Sequence, residues 1–326
     1  MSWKRCGLLL LLAATAALQS APALAQSYPS RAVRVMVGFA PGGPNDIIAR
    51  AYGARLAETF GQPFVVENRT GAGGNLAAEG VARAAPDGYT LTLGSTGPSA
   101  VNPALYAKLP FDLVRDLDMV SLVATGNSAL AVHPSVPAQN VKELVALAKS
   151  QPGKLTYASS GNGSSLHLAA ELFKQMAGVD LVHVPYKGAA LVMTDLVSGQ
   201  VDMSFAPVAN VVPFAKAGKL RLLALTGAKP SAFAPGTPTL AESGLPGFDV
   251  WTWYAVLVTA GTAEDVVNRL HAALVKIAQN PQLKEQLANI GIDTQASASP
   301  AEARAYRAAE VEKWGKLVRA IGVKAE

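Results

Sequence analysis

Two stretches of this 326-residue sequence place small residues and backbone donors where chemistry is commonly done. The first is Gly38-Phe39-Ala40-Pro41-Gly42-Gly43-Pro44. It follows the apolar alternation Val33, Val35, Val37 and opens into a helix capped by Asn45 or Asp46. The first N–H groups of a helix have no partner inside it and the helix dipole favours negative charge, so a strand delivering such a loop makes a small anion site. A carboxylate is the expected occupant. Any βα turn of an α/β fold carries similar text, and from this stretch alone that plainer reading is favoured. The second stretch, Ser159-Ser160-Gly161-Asn162-Gly163-Ser164-Ser165, sits about 120 residues later between a strand over 155–158 and a helix over 166–177. Two such helix starts facing each other would make a clamp.

Locally recognisable enzyme motifs are missing: there is no G-x-x-x-x-G-K-[ST], H-E-x-x-H, C-x-x-C or G-x-S-x-G. Neither glycine run at 71–76 nor that at 161–166 completes G-x-G-x-x-G, because each ends in leucine, which disfavours a dinucleotide. Of the four histidines, His133 and His183 lie in or beside apolar strands, and His271 lies in a helix away from the glycine loops. His167 and Glu171 share a helix face at a four-residue spacing that can hold a metal, although an ordinary i, i+4 pair is the commoner outcome. A serine-histidine-aspartate site drawn from distant positions stays open, but no residue demands it. Arg50 and Lys187 can pair with a bound anion or sit solvated at the surface. Phe39 and Phe205, each at a strand tip, are candidate ligand walls, with core packing an equal alternative for both. Trp251 and Trp253 either line a cleft, or one of the two packs under a helix.

The elements that must position these groups read as alternating strands and helices. Half the residues are hydrophobic and 16% charged, enough for a large core. Residues 1–25 read as a signal peptide, with a basic start at Lys4 and Arg5, an apolar run over 8–18 and a small-residue site Ala23-Leu24-Ala25. Its removal lowers the formal net charge from +5 to +3 and takes away the sole cysteine, Cys6. No cation cluster suggests nucleic acid or a lipid surface, and no later apolar run suits a membrane span. Strands are expected over 64–66, 89–93, 119–124, 129–133, 181–184, 201–205, 220–226 and 250–259. A second glycine loop, Gly71-Ala72-Gly73-Gly74-Asn75, leads into a helix reaching 85. The Thr125-Gly126-Asn127-Ser128 stretch reads as a break between two strands and a crossover between lobes. Asn140 with Glu143, Thr262 with Glu264 and Asp265, and Ser299 with Glu302 read as helix starts.

Taken together the phrases YPSRAVRVMVGFAPGGPNDIIAR, VVENRTGAGGNLAAEGVARAAPDGYTL, LTYASSGNGSSLHLAAELFK, HVPYKG, GQVDMSFAP, AGKLRLLALT and PTLAESGLPGF resemble the Bug-type periplasmic solute-binding proteins of tripartite tricarboxylate transporters. The resemblance spans the whole mature chain in order. It implies an α/β fold of two doubly wound lobes joined by crossing strands, the type II periplasmic-binding-protein flytrap, with lobe 1 over 26–125 plus 251–326 and lobe 2 over 126–250. It further implies a small carboxylated metabolite gripped mainly by backbone donors and ordered waters. In lobe 1 the matching positions are Phe39, Ala40, Gly42, Gly43, Pro44, Asn45 and Asp46. In lobe 2 they are Ser159, Ser160, Gly161, Asn162, Gly163 and Ser164, with Phe205 and Ala206 nearby. The expectation is a periplasmic monomer with membrane transporter subunits as partners, no catalytic residue, no metal, no cofactor and no nucleic acid. A sensor component with the same pocket, and more distantly an exported hydrolase, are the alternative functions. The sequence departs from the family pattern at 206–210, on the pocket rim, and at 234–238 and 258–263, in the scaffold.

Overall fold

The computed structural model describes residues 28–106, 108–186 and 189–322; the expected signal segment 1–25 and Lys187 lie outside them. In chain order the main elements are β1 (Val33–Val37), α1 (Pro44–Phe60), β2 (Phe64–Asn68), α2 (Asn75–Ala82) and β3 (Thr90–Ser95). Then come β4 (Leu117–Val132), α3 (Val141–Ser150), β5 (Thr156–Ser159), α4 (Ser165–Ala177), β6 (Val182–Pro185), α5 (Ala189–Val197) and β7 (Met203–Pro207). The chain continues through α6 (Val208–Lys216), β8 (Arg221–Leu225), β9 (Trp251–Thr259), α7 (Glu264–Ala278), α8 (Pro281–Ala288), β10 (Ile292–Thr294) and α9 (Pro300–Ile321). Short helical turns fill Gly97–Val101 and Asn102–Leu105.

One ten-stranded mixed sheet runs β2-β1-β3-β9-β4-β7-β5-β6, with β8 and β10 paired to β4 off that path. The strands that feed the glycine loops, β1 and β5, are in parallel pairs on both sides, β1 with β2 and β3, β5 with β6 and β7. Val33, Val35, Met36 and Val37 of β1 are all buried, as a parallel strand covered by helices requires, and only Arg34 is exposed, paired with Glu67 of β2.

β4 joins the two lobes. Its residues from Leu117 to Asn127 lie along β9, and those from Ser128 to Val132 lie between β7 and β8. The sequence reading broke this strand at 125–128, because Gly, Asn and Ser signal a turn in isolation. In the fold each has a use that only an extended chain provides. A Cβ on Gly126 would stand 2.8 Å from Ile292 Cδ1, so glycine there admits β10. Asn127 Oδ1 accepts from Gly227 N at 3.0 Å, and Thr226 N donates to Ser128 O at 2.9 Å. The second crossing passes through Val250, whose N donates to Thr226 O at 2.9 Å.

Two further expectations are corrected. Thr262 does not cap α7: its hydroxyl turns back to Thr259 O at 2.7 Å and Ala263 takes the cap position. The segment after β7, which the resemblance puts on the pocket rim, is helix α6; Val208 and Val211 on one face of it enter the second-lobe core despite Pro213 inside.

The first-lobe core sets Val33, Val35 and Val37 against Ile48, Tyr52 and Leu56 of α1 and Leu270 and Leu274 of α7. A second cluster joins the lobes along α9 and α4, bringing Trp253, Trp314, Phe173 and Phe205 together. At its centre the buried Glu310 carboxyl takes both indole N–H groups, Trp253 Nε1 at 2.9 Å and Trp314 Nε1 at 2.8 Å. Trp253 therefore follows the packing alternative of its sequence reading. Glu310→Leu strands two buried donors and is expected to lower unfolding free energy by about 2–4 kcal/mol in urea titrations, whereas Glu310→Gln, which keeps an acceptor oxygen, stays within about 1 kcal/mol; equal losses for the two would refute this account.

Candidate functional site

The first glycine loop is fastened from beneath by one carboxylate. Asp46 was expected as a cap, but Gly43 holds that position, with Pro44 in the first turn where a missing N–H costs nothing. Asp46 sits in the first turn and points back: its Oδ2 accepts from Gly42 N at 3.0 Å and its Oδ1 from Asn68 Nδ2 at 2.9 Å. Arg50 closes the cluster, with Nε 3.0 Å from either oxygen, and Nη2 also reaches Asn68 Oδ1 at 3.1 Å. The Arg50 hydrogen bond, helped by Gly42 and Asn68, holds the Asp46 carboxyl down to about 2 despite burial. Asn68 Nδ2 also donates to Phe39 O at 3.0 Å, so the end of β2 anchors both ends of the loop. Gly42 takes a φ of +81°, open to glycine and strained for other residues.

The second glycine loop forms an adjoining wall. A Cβ on Gly38 would meet Gly74 Cα at 2.6 Å, and one on Gly74 would meet the Phe39 ring at 3.2 Å, so the two loops pack backbone to backbone. Beside them Asn75 Oδ1 accepts from Asn102 Nδ2 at 2.6 Å. The amide nitrogens of Asn45 and Asn75 are both enclosed and have no hydrogen-bond partner.

The second-lobe loop is tied down by histidines. Ser159 Oγ lies 2.6 Å from His183 Nε2 and takes Gly161 N at 3.2 Å. Gly163 N donates to His167 Nδ1 at 3.0 Å, and Ser164 caps α4 by accepting from His167 N at 3.3 Å. The two imidazoles stack with centroids 4.2 Å apart, and Tyr157 stacks on His183 at 4.7 Å. Beneath them Glu171 Oε1 takes the Tyr157 hydroxyl at 2.6 Å and Lys174 Nζ at 2.9 Å. His167 and Glu171 thus bond to other groups and do not form the i, i+4 pair expected from their spacing; among the described residues no acid, histidine and cysteine cluster suits a metal.

The loops of the two lobes meet through the turn Asn102–Leu105. A Cβ on Gly163 would stand 1.9 Å from Leu105 Cδ2, so the absence of a side chain there lets the lobes touch. Of the expected second-lobe residues, Ser160 is half-buried and Asn162 exposed, while Ser159 is fully buried. Phe205 is also fully buried, tilted against Phe173 at 5.6 Å, and Ala206 pairs with Ala129 in the sheet. These two therefore sit behind the loops in the core, the alternative for Phe205. Asn75, Asn102, His167 and His183 were not named as site residues. Asn75 carried a usable signal, since it ends a glycine run before a helix, whereas the two histidines are reached only through tertiary stacking.

Comparison with known proteins gives concordant results. Residues 48–323 match the model of the tripartite tricarboxylate transporter family receptor. The chain is 34% identical to protein BugT of Bordetella pertussis over 306 residues, 94% of each chain. Among solved structures it is similar to R. palustris Rpa4515 with adipate, with TM-score 0.81 and 35% identity over 91% of this chain and 99% of that one. It is likewise similar to MatC from Rhodopseudomonas palustris with bound malate, with TM-score 0.78 and 33% identity over 89% and 100% of the two chains.

The His167 tether has a definite pH signature. Its Nδ1 must be unprotonated to accept from Gly163, and burial, then the neighbouring His183, pushes its pKa down from 6.5 to about 4. Glu171 acts in the opposite direction and Lys174 adds to the depression. Burial lowers His183 as well. Because the unfolded chain takes up this proton near pH 6.5 and the folded chain only near 4, stability contributed by His167 is lost as pH falls through that window. His167→Asn offers Oδ1 in the place of Nδ1 without titrating. Wild type is expected to lose up to about 3 kcal/mol relative to this variant between pH 6.5 and 4 in chemical denaturation; parallel stability curves would remove the tether.

Proposed function

We propose that this chain, which belongs to the tripartite tricarboxylate transporter receptor family, captures a small carboxylate-bearing metabolite in the periplasm and hands it to the membrane subunits of such a transporter. The family makes it a solute-binding receptor; the carboxylate reading rests on one observation. The only acid in the first loop and helix start, Asp46, is turned inward and bonded on both oxygens, so no acid opposes an anion at the helix start. The N–H groups of Asn45 and Asp46 belong to the first turn of α1 and have no acceptor within the helix, and the enclosed Asn45 amide adds a third donor. Donors without an opposing acid select an anion. The similar structures with adipate and malate support a carboxylate as that anion.

Capture proceeds by closure of lobe 1 (26–125 and 251–326) on lobe 2 (126–250). The division is supported by β4, which changes partners after Asn127, and by the Val250 to Thr226 hydrogen bond beside it. A solute held by both lobes stabilises the closed state by the difference in its affinity for closed and open forms. Three or four charge-assisted hydrogen bonds of about 1.5–3 kcal/mol each supply enough for that shift. The segment 1–25 supports export, and among the described residues no helix is long and apolar enough to cross a membrane. The role is binding without turnover. Ser159 and His183 do approach as a nucleophile and base would, but Ser159 is fully buried and its Oγ also holds Gly161 N, so no solute reaches it.

Gly43→Val tests the loop. Gly43 has a φ of −79° and a Cβ there would meet nothing closer than Ala40 O at 3.5 Å, so the fold accepts the side chain while its branches stand in the path of the solute. The variant is expected to melt with wild type and to bind at least tenfold more weakly by calorimetry any carboxylate that mass spectrometry finds co-purifying with the protein. Unchanged affinity, or a co-purifying solute without a carboxylate, would overturn the assignment.

A further inference from the structure

The buried amide of Asn75 is satisfied on one side only. Its oxygen takes Asn102 Nδ2 at 2.6 Å, and Asn102 Nδ2 also reaches Gly73 O at 3.3 Å, which fixes the plane of the Asn75 amide and its orientation. The other limb, Nδ2, is then directed away from Asn102 and has no partner, on a residue only 3% exposed. An enclosed donor left unpaired is costly, so its persistence beside a binding loop calls for an acceptor that arrives with the solute. The location suits this. Asn75 opens α2, directly after Gly74, which packs on Gly38 and Phe39 of the first loop. Its partner Asn102 opens the turn that ends in Leu105, the residue touched by Gly163 of the second-lobe loop. Asn75 therefore lies on a continuous line of contacts between the two loops.

We infer that Asn75 is a specificity-determining residue of the solute site: Nδ2, held in place by Asn102, donates to an oxygen of the solute separate from the carboxylate on the first loop. This rests on the carboxylate reading of that loop and extends it to a third segment, the glycine run at 71–75. The solutes selected carry a second oxygen acceptor, a further carboxylate above all. A chain ending in methyl leaves the donor stranded, and one ending in ammonium sets donor against donor; a site built to hydrogen-bond a group discriminates strongly against the analogue lacking it.

The test uses the mature protein and two matched acid pairs in calorimetry, adipate with hexanoate and succinate with butanoate. Wild type is expected to prefer the dicarboxylate of at least one pair by tenfold or more. Asn75→Ser, which loses the reach of the amide, is expected to bind that dicarboxylate at least tenfold more weakly while its affinity for the monocarboxylate stays within threefold. Asn75→Asp keeps an acceptor for Asn102 and supplies a second folded variant; its added charge is expected to weaken the dicarboxylate more than the monocarboxylate. Wild-type discrimination in both variants would overturn the role of Asn75 alone, since Gly43→Val then still weakens both members of a pair. Binding of none of the four acids by wild type, with a co-purifying solute that lacks a carboxylate, would overturn the loop assignment and this inference together.

Discussion

The direction in which a single carboxylate points sets the electrostatics of the first glycine loop. With Asp46 turned outward, the first loop would repel anions; turned inward onto Gly42, Asn68 and Arg50, it converts the same residues into a rigid set of donors. Burial of the carboxylate alone would be unfavourable, but two oxygens shared among a backbone N–H, an amide and a guanidinium keep it ionised. The positive charge of Arg50 is partly neutralised by the same contact, so the loop face gains its anion preference from oriented backbone dipoles more than from net charge. That arrangement suits a receptor that must release its cargo, because neutral donors hold a carboxylate less tightly than a desolvated cation would.

Much of this architecture can be read from the sequence, and the parts that cannot have specific causes. The first of the strands that feed the loops is legible from the apolar alternation Val33, Val35, Val37, and the helix starts are legible where capping is local, as at Asn140 and Ser299. Four-residue spacing put His167 and Glu171 on one helix face, but the expected pair does not form: their partners, Gly163, Tyr157 and Lys174, depend on how the loop folds back and on β5 packing against the helix. Residues 125–128 misled because their composition signals a turn, whereas their side chains and missing Cβ serve a tertiary junction. Asp46 has a similar lesson at the site: local text allowed a cap, whereas its carboxylate turns back to Gly42, Arg50 and, from β2, Asn68. The first loop was therefore visible in outline, while the inward turn of its one acid was not.

Both lobes solve the same problem with different chemistry. A loop whose backbone must present donors has to be braced from behind, since free glycines would lose conformational entropy at each binding event. The first lobe braces with an ion pair; the second braces with neutral imidazoles stacked on tyrosine, His167 accepting from Gly163 and His183 facing Ser159. Burial keeps those rings uncharged at neutral pH, so the second-lobe loop adds no formal charge of its own. A charge fixed behind both loops would set up opposing fields across the cleft.

The junction between the lobes has to yield without letting go. β4 carries backbone hydrogen bonds to first-lobe and second-lobe partners on either side of Asn127, so it cannot slide lengthwise without breaking both ladders. Rotation about the strand is less restricted, because the polar contacts there converge on a few atoms: Thr226 Oγ1 lies 2.8 Å from Val250 O and 3.1 Å from Ser128 O, and Asn127 Oδ1 serves Gly227. A hydroxyl that can turn between two carbonyls keeps a partner through a small change of angle, which a fixed amide pair does not. Gly163 lies against Leu105 so closely that a Cβ there would stand 1.9 Å from Leu105 Cδ2.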